Sequence, residues 1–566
     1  MPRLPRCLLL LLLVLAPTLA FARDAVQQGA RQMVAAAHPL AAQAGLDALR
    51  QGGTAIDAAI AVQMVLNVVE PQASGIGGGG LLLYYDAVAR KLHYYDGRET
   101  APSGVSPDMF LESDGRPATF MDAVLGGQSV GVPGLLRLLD LAHRRHGRLH
   151  WADLFAPAIA LAEHGAPVSK RLAAALAREV ALPQDAQALA LFYHPDRRAL
   201  AAGETLVQQE LAATLRLIAR DGAESFYSGP LAADIVARVQ NAARRPGTLS
   251  LADLAAYQVV ESEALCGPYR NLKVCAAAPV SSGGLALLQM LGMLEGFDLA
   301  ALQPQSVEAV HLVAQAAKLA FADREAYVGD PAFVAVPSEK LLAPAYLRQR
   351  AGLILRGKTT PAKAEPGKLA ALSPAPAGDT REIPATSHIS IVDAQGNVVS
   401  FTTTIEAAFG SRLMVRGFLL NNELTDFSFL PEIDGKPVAN AIAPGKRPRS
   451  SMTPAIAFDA DGAPVLAVGS AGGPTIIGAV LKAVLGVADW NLSLQEAIDL
   501  PLALNFNGPT LLEENRFDAA FAASLVALGH ETRFIAIPSG LHGLRRTPTG
   551  WQGGADPRRD GVALGD

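Results

Sequence analysis

The chain has 566 residues, of which 50% are apolar and 18% are charged, and its formal net charge is −5. This length and apolar content suffice for a large core, so a wholly disordered chain is excluded. The negative net charge, without any long run of basic residues, argues against a nucleic acid as partner.

The first 22 residues have the pattern of a secretory signal peptide. Two arginines precede an apolar run over residues 7–16, and the Ala-Phe-Ala sequence at 20–22 fits a cleavage site between small residues. The run is short for a membrane span, so an uncleaved anchor is the less favoured alternative. We therefore expect a mature protein that begins near residue 23 and is exported, as a periplasmic or secreted protein.

Helical patterns fill most of the chain before residue 327. A glycine-rich loop at 75–80 has the G-x-G-x-x-G spacing of a dinucleotide site. It follows a predicted helix and opens a predicted strand, which is the reverse of the order that such a site needs. Strand patterns dominate the last third of the chain, so we expect a layered α/β or α+β body without a nucleotide-binding fold.

Two cysteines, Cys266 and Cys275, remain once the signal peptide is removed. A two-residue turn at residues 270–271 would place them directly opposite each other in a hairpin, at a non-hydrogen-bonded pair of positions. A disulfide is then favoured in an oxidising compartment, although two buried free thiols are the open alternative. Two cysteines alone make no metal site.

A proline-, glycine- and lysine-rich stretch over residues 357–384 predicts a flexible, exposed linker. Two strand patterns follow it, joined by a three-residue loop that begins after Asp393 and ends in glycine, which is typical of a type I turn with a bulge. This turn pairs Asp393 with Asn397. Followed outward, the same register places Thr386 opposite Thr404.

Common catalytic motifs are missing from the sequence: it has no G-x-S-x-G elbow, P-loop or H-E-x-x-H pattern. A threonine at a chain terminus needs none of them, because its own α-amine can take the proton from its hydroxyl. That amine has a pKa near 8, close to working pH. Thr386, at the start of a strand and just after a linker, suits this chemistry once the chain is cut before it; a strand threonine without a role is the alternative.

Several motifs together resemble the γ-glutamyltranspeptidase family. They run in one order from about residue 30 to near the C-terminus. The motifs are EP…GIGGGG at 70–80, DGRETAP at 96–102, VGVPG at 130–134, PVSSGG at 279–284, TSH at 386–388, NNELTDF at 421–427, KRPRSSM at 446–452 and GSAGG at 469–473.

The resemblance implies an α+β fold, the α-β-β-α sandwich of N-terminal nucleophile hydrolases. It implies that Thr386 cuts the precursor into a large chain, 23–385, and a small chain, 386–566. Thr404 would hydrogen-bond the nucleophile. Gly472 and Gly473 would offer backbone N–H groups to the oxyanion, an interaction worth about 3 kcal/mol per donor.

The resemblance also implies a site for the zwitterionic head of a γ-glutamyl compound. Arg98, with Ser450 and Ser451, would bind the α-carboxylate, and Glu423 and Asp426 the α-ammonium. The expected partners are a γ-glutamyl donor such as glutathione, and water or an amino-acid or peptide amine as acceptor. No metal and no organic cofactor is implied.

Two features depart from the better-known members of that family. Glu406 stands where they carry Asn; two residues after Thr404 on a strand, it should face the pocket. The segment 428–449 looks shorter than a lid-bearing one, so we expect a more open pocket. Both features resemble lid-less bacterial members and acylases of glutaryl-cephalosporins.

Three functions therefore stay open at the level of sequence. The main interpretation is a γ-glutamyltransferase and glutathione hydrolase. The first alternative is an acylase that uses the same nucleophile on non-amino dicarboxylic amides. The second is an unprocessed binding protein that keeps the fold, against which the intact Thr386 and Thr404 argue.

Overall fold

The structure, a computed structural model, describes residues 31–359, 363–370, 372–380, 382 and 385–566. The predicted signal peptide over residues 1–22 lies outside the described residues. The chain is continuous through the bond between Ala385 and Thr386, so the description is that of the uncut precursor.

A seven-stranded antiparallel sheet carries the predicted nucleophile. Its central hairpin comes from the last third of the chain, and its flanking strands come from the first third, from residues 260–262 and from the C-terminus. In spatial order the strands are Val562–Gly565, Met33–Ala36, Ser387–Val392, Val398–Thr404, Gly79–Asp86, Lys91–Gly97 and Val260–Ser262.

A six-stranded antiparallel sheet faces the first one. Hydroxyl groups bridge the two sheets, since Ser400 Oγ donates to the carbonyl oxygen of Val468 at 3.2 Å. The strands of this second sheet, in spatial order, are Gly550–Ala555, His542–Thr547, Pro464–Gly469, Ala455–Phe458, Leu272–Ala276 and Leu265–Tyr269.

Helices cover the outer face of each sheet. On the first sheet, helix Ala55–Val69 is buried along its whole length, and Thr54 caps it in a capping box with Asp57. Helix Pro39–Arg50 packs beside it. On the second sheet lie the helices Gly283–Leu294 and Thr475–Ala488, and helix Val307–Tyr327 packs against the first of them. The order helix, sheet, sheet, helix confirms the predicted α+β sandwich.

Smaller elements surround this sandwich. The further helices are Phe120–Val124, Leu135–His146, Ala156–His164, Lys170–Arg178, Ala186–Phe192, Gln209–Asp221, Glu224–Tyr227, Gly229–Gln240, Leu251–Ala256, Ser338–Leu341, Pro344–Ala351, Leu494–Asp499 and Ala519–Ala527. The further strands are Ala166–Pro167, Thr205–Leu206, Met414–Val415, Phe418–Leu419, Glu432–Ile433, Lys436–Pro437, Ala503–Asn505, Thr510–Glu513 and Thr532–Ile535. Among the described helices, none combines the length and apolarity that crossing a bilayer requires.

The predicted cysteine hairpin is confirmed. Strands Leu265–Tyr269 and Leu272–Ala276 pair with Cys266 opposite Cys275, and a disulfide joins the two cysteines. The bridge lies at the edge of the second sheet, and Cys266 is exposed.

The predicted linker over residues 357–384 is less exposed than its composition indicates. Many of its described residues are half-buried, because backbone and side-chain groups attach them to the body. Gly367 N donates to Asp323 at 2.8 Å, and Asp379 accepts from the backbone N–H of Phe429 at 2.8 Å. The described parts of this stretch therefore contact the body at several points.

Candidate active site

The catalytic hairpin has the predicted register. Asp393 Oδ1 accepts from the backbone N–H of Gln395 and of Asn397, at 3.0 and 2.9 Å, and Gly396 takes a positive φ of 86°. Ser387 then pairs with Thr403. One step further out, Thr386 Oγ1 donates to Thr404 Oγ1 at 3.2 Å. The turn therefore places the two hydroxyl groups together.

Thr404 lies between the nucleophile and the bond that it would attack. Its hydroxyl accepts from the backbone N–H of Glu406 at 2.8 Å and donates to the carbonyl oxygen of Ala385 at 3.5 Å. The hydroxyls of Thr386 and Thr404 thus form a chain that ends at the carbonyl before Thr386. The backbone donor fixes the rotamer of Thr404.

The glycine-rich loop that precedes strand Gly79–Asp86 packs against the end of the catalytic strand. A Cβ atom at Gly78 would lie 2.0 Å from the carbonyl oxygen of Thr404, and one at Gly77 would lie 2.2 Å from that of Leu419. Only glycine allows this close approach. The loop therefore supports Thr404.

One cavity contains the predicted site. Of the ten predicted site residues, nine line it; Gly472 does not. The lining residues are Arg98, Glu382, Ala385, Thr386, Thr404, Glu406, Glu423, Asp426, Ser450, Ser451, Met452, Gly473 and Ile476. No group of three or more metal-ligating side chains is present among the residues that the structure describes.

The predicted oxyanion site lies where strand Pro464–Gly469 leads into helix Thr475–Ala488. Gly472 and Gly473 have φ values of 133° and 58°, a region that favours glycine. Gly472 is closely packed, since a Cβ there would come within 2.3 Å of the carbonyl oxygen of Pro538. The helix N-terminus directs its positive end at the cavity, where Ile476 is part of the wall.

Arg98 lies among acids. Its guanidinium pairs with the carboxylates of Glu423 and Asp426, the latter at 2.5 Å, and Nε donates to the carbonyl oxygen of Pro448 at 3.1 Å. Arg98, the predicted ligand of the donor's carboxylate, therefore contacts Glu423 and Asp426, the predicted ligands of its ammonium. Both halves of the predicted head-group site are adjacent.

Comparison with known proteins gives a consistent result. The profile of the gamma-glutamyltranspeptidase family matches residues 41–566. The chain belongs to the gamma-glutamyltranspeptidase family. It is an enzyme with the N-terminal nucleophile hydrolase fold, as the motifs predict.

Three relatives illustrate the range of this family. The chain is 38% identical to the glutathione hydrolase proenzyme of Bacillus subtilis strain 168, over 95% of this chain and 92% of that one. It is 36% identical to the acylase ACY 1 proenzyme of Pseudomonas sp. strain V22, over 95% and 94%. The crystal structure of a cephalosporin acylase from Bacillus halodurans superposes with a TM-score of 0.83 at 30% identity, over 96% and 97%.

Burial controls the charges of this transpeptidase-family site. Burial raises the pKa of Asp426 well above its usual range; Arg98 opposes the shift, and Glu406 adds to it. The pKa of Glu423 is raised for the same first reason. Burial also disfavours the charge of Arg98, but the carboxylates of Glu423 and Asp426 more than offset it, so its pKa is raised. The acids thus outnumber their cation, which favours the protonated form of these carboxyl groups.

Glu406, which replaces the Asn of better-known family members, lines the cavity as predicted. The prediction that it does so by alternation along the strand is wrong. The catalytic strand ends at Thr404, and Glu406 follows with a φ of 74°. Asn tolerates this left-handed conformation better than Glu does, which explains why Asn suits the position. The turn still directs the carboxylate inward, where Asn422 Nδ2 donates to it.

The expected open pocket is not found in the uncut chain. Thr386 is 4% exposed, and Ala385 and Glu382 form one wall of the cavity. The short segment 428–449 carries an exposed hairpin, Glu432–Ile433 with Lys436–Pro437. The described residues just before the bond to be cut, Glu382 and Ala385, close the site on one side.

Sequence reasoning missed three residues around the nucleophile. Arg559 Nη1 donates to the carbonyl oxygen of Thr386 at 2.8 Å, and Arg324 Nη2 donates to Ser451 Oγ at 2.8 Å. Glu382 pairs with Arg324. The motif ADRE at 322–325 and the RR pair at 558–559 carry the two arginines, but neither has a local pattern that indicates a catalytic neighbour.

Proposed function

We propose that this protein is an exported γ-glutamyltransferase and glutathione hydrolase that cuts itself before Thr386. The contact that carries the proposal is the 3.2 Å hydrogen bond between Thr386 and Thr404, with the carbonyl of Ala385 at the end of the same chain. A nucleophile, a hydroxyl that orients it and a scissile carbonyl are thus in contact.

Self-cleavage follows from this geometry. Thr386 Oγ attacks the carbonyl carbon of Ala385, and the bond from that carbon to the nitrogen of Thr386 breaks. The nitrogen takes the proton that leaves Oγ and becomes a free amine. Water then hydrolyses the ester, giving a large chain that ends at residue 385 and a small chain, 386–566, that begins with Thr386.

The freed amine is the general base of the catalytic cycle. It takes the hydroxyl proton while Oγ attacks the γ-carbonyl of the donor, and it passes that proton to the leaving amine. The N–H groups at Gly472 and Gly473 stabilise the oxyanion. Water or an acceptor amine then takes the γ-glutamyl group from Thr386. Arg559, on the carbonyl oxygen of Thr386, holds the new N-terminal residue in place.

The head group of the donor enters the charged wall of the cavity. Its α-carboxylate lies toward Arg98, Ser450 and Ser451, and its α-ammonium toward Glu423 and Asp426. A bound ammonium adds a positive charge to the acid cluster, so donor binding favours the ionised form of these carboxylates. We propose glutathione and related γ-glutamyl amides as the donors.

Two features support export. Residues 1–22 have the signal-peptide pattern, and the bridge between Cys266 and Cys275 suits an oxidising compartment. Large and small chains of one precursor would then be the mature, exported enzyme.

Gel electrophoresis and one chromogenic assay test this function. Purified protein should run as two bands of about 38 and 19 kDa, the masses of residues 23–385 and 386–566 in proportion to the 59.0 kDa of the whole chain. It should also hydrolyse γ-glutamyl-p-nitroanilide. The Thr386→Ala variant should stay as one band and be inactive. An active but uncut wild-type protein contradicts the mechanism.

A glutaryl acylase is the second candidate. The likeness to the acylase ACY 1 proenzyme and to the cephalosporin acylase structure, each over more than nine-tenths of the chain, favours it. The same nucleophile would then act on an acyl group without an ammonium. The ratio of kcat/KM for γ-glutamyl-p-nitroanilide and glutaryl-p-nitroanilide separates the two, and we expect the γ-glutamyl donor to be preferred.

A further inference from the structure

Arg324 is a buried cation beside the site that neither the motifs nor the mechanism uses. It lies on helix Val307–Tyr327 and is 4% exposed. Nε donates to Ser282 Oγ and Nη2 to Ser451 Oγ, both at 2.8 Å. Ser451 lines the catalytic cavity. The guanidinium therefore lies directly behind a wall of that cavity.

A carboxylate from the chain itself occupies the cavity side of Arg324. Glu382 pairs with Arg324 Nη2, its side chain is 6% exposed, and it lines the cavity that contains Thr386. Arg324 Nη2 thus contacts both a carboxylate and a serine hydroxyl. A fork of this kind is a common way to bind a substrate carboxylate.

The place of Glu382 along the chain tells which substrate group it resembles. The bond to be cut joins Ala385 to Thr386, so the residues before it form the acyl part of that bond. Glu382 belongs to this acyl part. In a γ-glutamyl donor the acyl part is the glutamyl group, and the carboxylate on it is the α-carboxylate.

The balance of charge also requires a carboxylate here once Glu382 leaves. Arg449 is buried next to Arg324, and its Nη2 donates to Glu325 at 2.6 Å; Arg324 pairs with the same Glu325. Two guanidiniums thus share two carboxylates in the uncut chain. Without Glu382 they share one, which leaves a net positive charge at the cavity wall.

Arg98 has little capacity left for a substrate carboxylate. A guanidinium has five N–H groups. Four of those on Arg98 are used, by Glu423, by Asp426 and by the carbonyl oxygens of Pro448 and Arg449. One N–H group remains, on Nη1, which also lies 3.9 Å from Glu99, so Arg98 alone offers the donor's carboxylate a single hydrogen bond.

We propose that Arg324, together with Ser451, binds the α-carboxylate of the donor in the cut enzyme, and that Glu382 occupies this place before the cut. This role rests on the proposed γ-glutamyl chemistry. Arg324 is then a second cation for the carboxylate, beside Arg98, and it selects donors whose acyl group carries a distal carboxylate.

Three p-nitroanilide donors test the role of Arg324. γ-Glutamyl carries both the carboxylate and the ammonium, glutaryl only the carboxylate, and 4-aminobutanoyl only the ammonium. Arg324→Gln should lower kcat/KM about 10- to 100-fold for the first two donors, the range expected for a lost charged hydrogen bond, and less than about 3-fold for the third. Equal loss on all three overturns the proposal.

Two further variants separate binding from a structural role. Arg324→Lys keeps the charge without the fork, so it should recover part of the loss on the two carboxylate donors. Arg356→Gln is the matched control, because Arg356 pairs with Glu308 at an exposed position. It should leave all three donors unchanged. Self-cleavage and the melting temperature are measured for each variant.

A binding experiment on the uncut protein does not depend on turnover. In Thr386→Ala, Glu382 stays in place, and L-glutamate should not bind measurably in calorimetry. Adding Glu382→Ala should leave the carboxylate-binding position free, so that L-glutamate binds and 4-aminobutanamide, which has no carboxylate, does not. Equal behaviour of the single and double variants, or binding of both ligands, contradicts the proposal.

Failure of this proposal differs from failure of the proposed function. If the function is wrong, the wild-type enzyme prefers a donor other than γ-glutamyl. If only the role of Arg324 is wrong, the wild type keeps its γ-glutamyl preference, and Arg324→Gln leaves the ranking of the three donors unchanged.

Discussion

Glu406→Gln tests how the site distinguishes γ-glutamyl from glutaryl donors. The change removes one negative charge and keeps a side-chain oxygen that can accept from Asn422 Nδ2, so the turn should be preserved. Glu406 is 4% exposed and raises the pKa of Asp426 by its charge, which shows that the two carboxylates interact. An α-ammonium bound to Asp426 should therefore also be stabilised by Glu406.

The expected magnitude follows from a charge–charge contact inside a closed pocket. Losing one of several carboxylates around the ammonium should cost about 1–2 kcal/mol, which is about 5- to 30-fold in kcat/KM for the γ-glutamyl donor. The glutaryl donor has no ammonium, so its kcat/KM should be unchanged or slightly raised.

Initial rates with the two p-nitroanilide donors at one pH provide the assay. Wild type should prefer γ-glutamyl, and Glu406→Gln should reduce that preference by the factor given above. Equal losses on both donors would refute the reasoning, because they would mean that Glu406 supports Thr404 through its backbone and does not contact the ammonium. A wild-type preference for glutaryl would favour the acylase.

Three other outcomes are expected. Arg98→Lys should raise KM for γ-glutamyl-p-nitroanilide about 30- to 1,000-fold, equivalent to about 2–4 kcal/mol, since the donor's α-carboxylate is left underpaired in a buried site; an unchanged KM contradicts this. Replacing both Cys266 and Cys275 with Ser should destabilise the protein by about 2–3 kcal/mol in thermal unfolding, as closing a ten-residue loop predicts, and leave kcat/KM unchanged. Burial, with His311 beside it, lowers the pKa of His530 to about 4. Folding therefore disfavours its protonated form, and stability should fall as the pH drops from about 6.5 toward 4. His530→Gln should flatten this fall in a melting-temperature series, whereas an unchanged pH profile contradicts the assignment.

The catalytic hairpin could be predicted from sequence because its determinants are local. Asp393 and a glycine three residues later define the turn, and alternation along two strands then fixes every pair out to Thr386 and Thr404. The disulfide hairpin is predictable for the same reason. In both cases one register decides which side chains meet.

The charged surroundings of the nucleophile could not be predicted in this way. Arg324 and Arg559 reach the site from a helix in the large chain and from a loop near the C-terminus, and only tertiary packing brings them to it. The position of Glu406 was inferred from strand alternation, which fails where a left-handed residue ends the strand. Composition alone indicated an exposed linker, but specific contacts hold it against the body.

Mass spectrometry of the purified enzyme, before and after brief mixing with a γ-glutamyl donor and acid quenching, tests the central claim most directly. We predict a small chain whose first residue is Thr386 and which gains the mass of one γ-glutamyl group, located by peptide mapping on Thr386. An uncut active protein, or an acyl group on any other residue, would contradict the account.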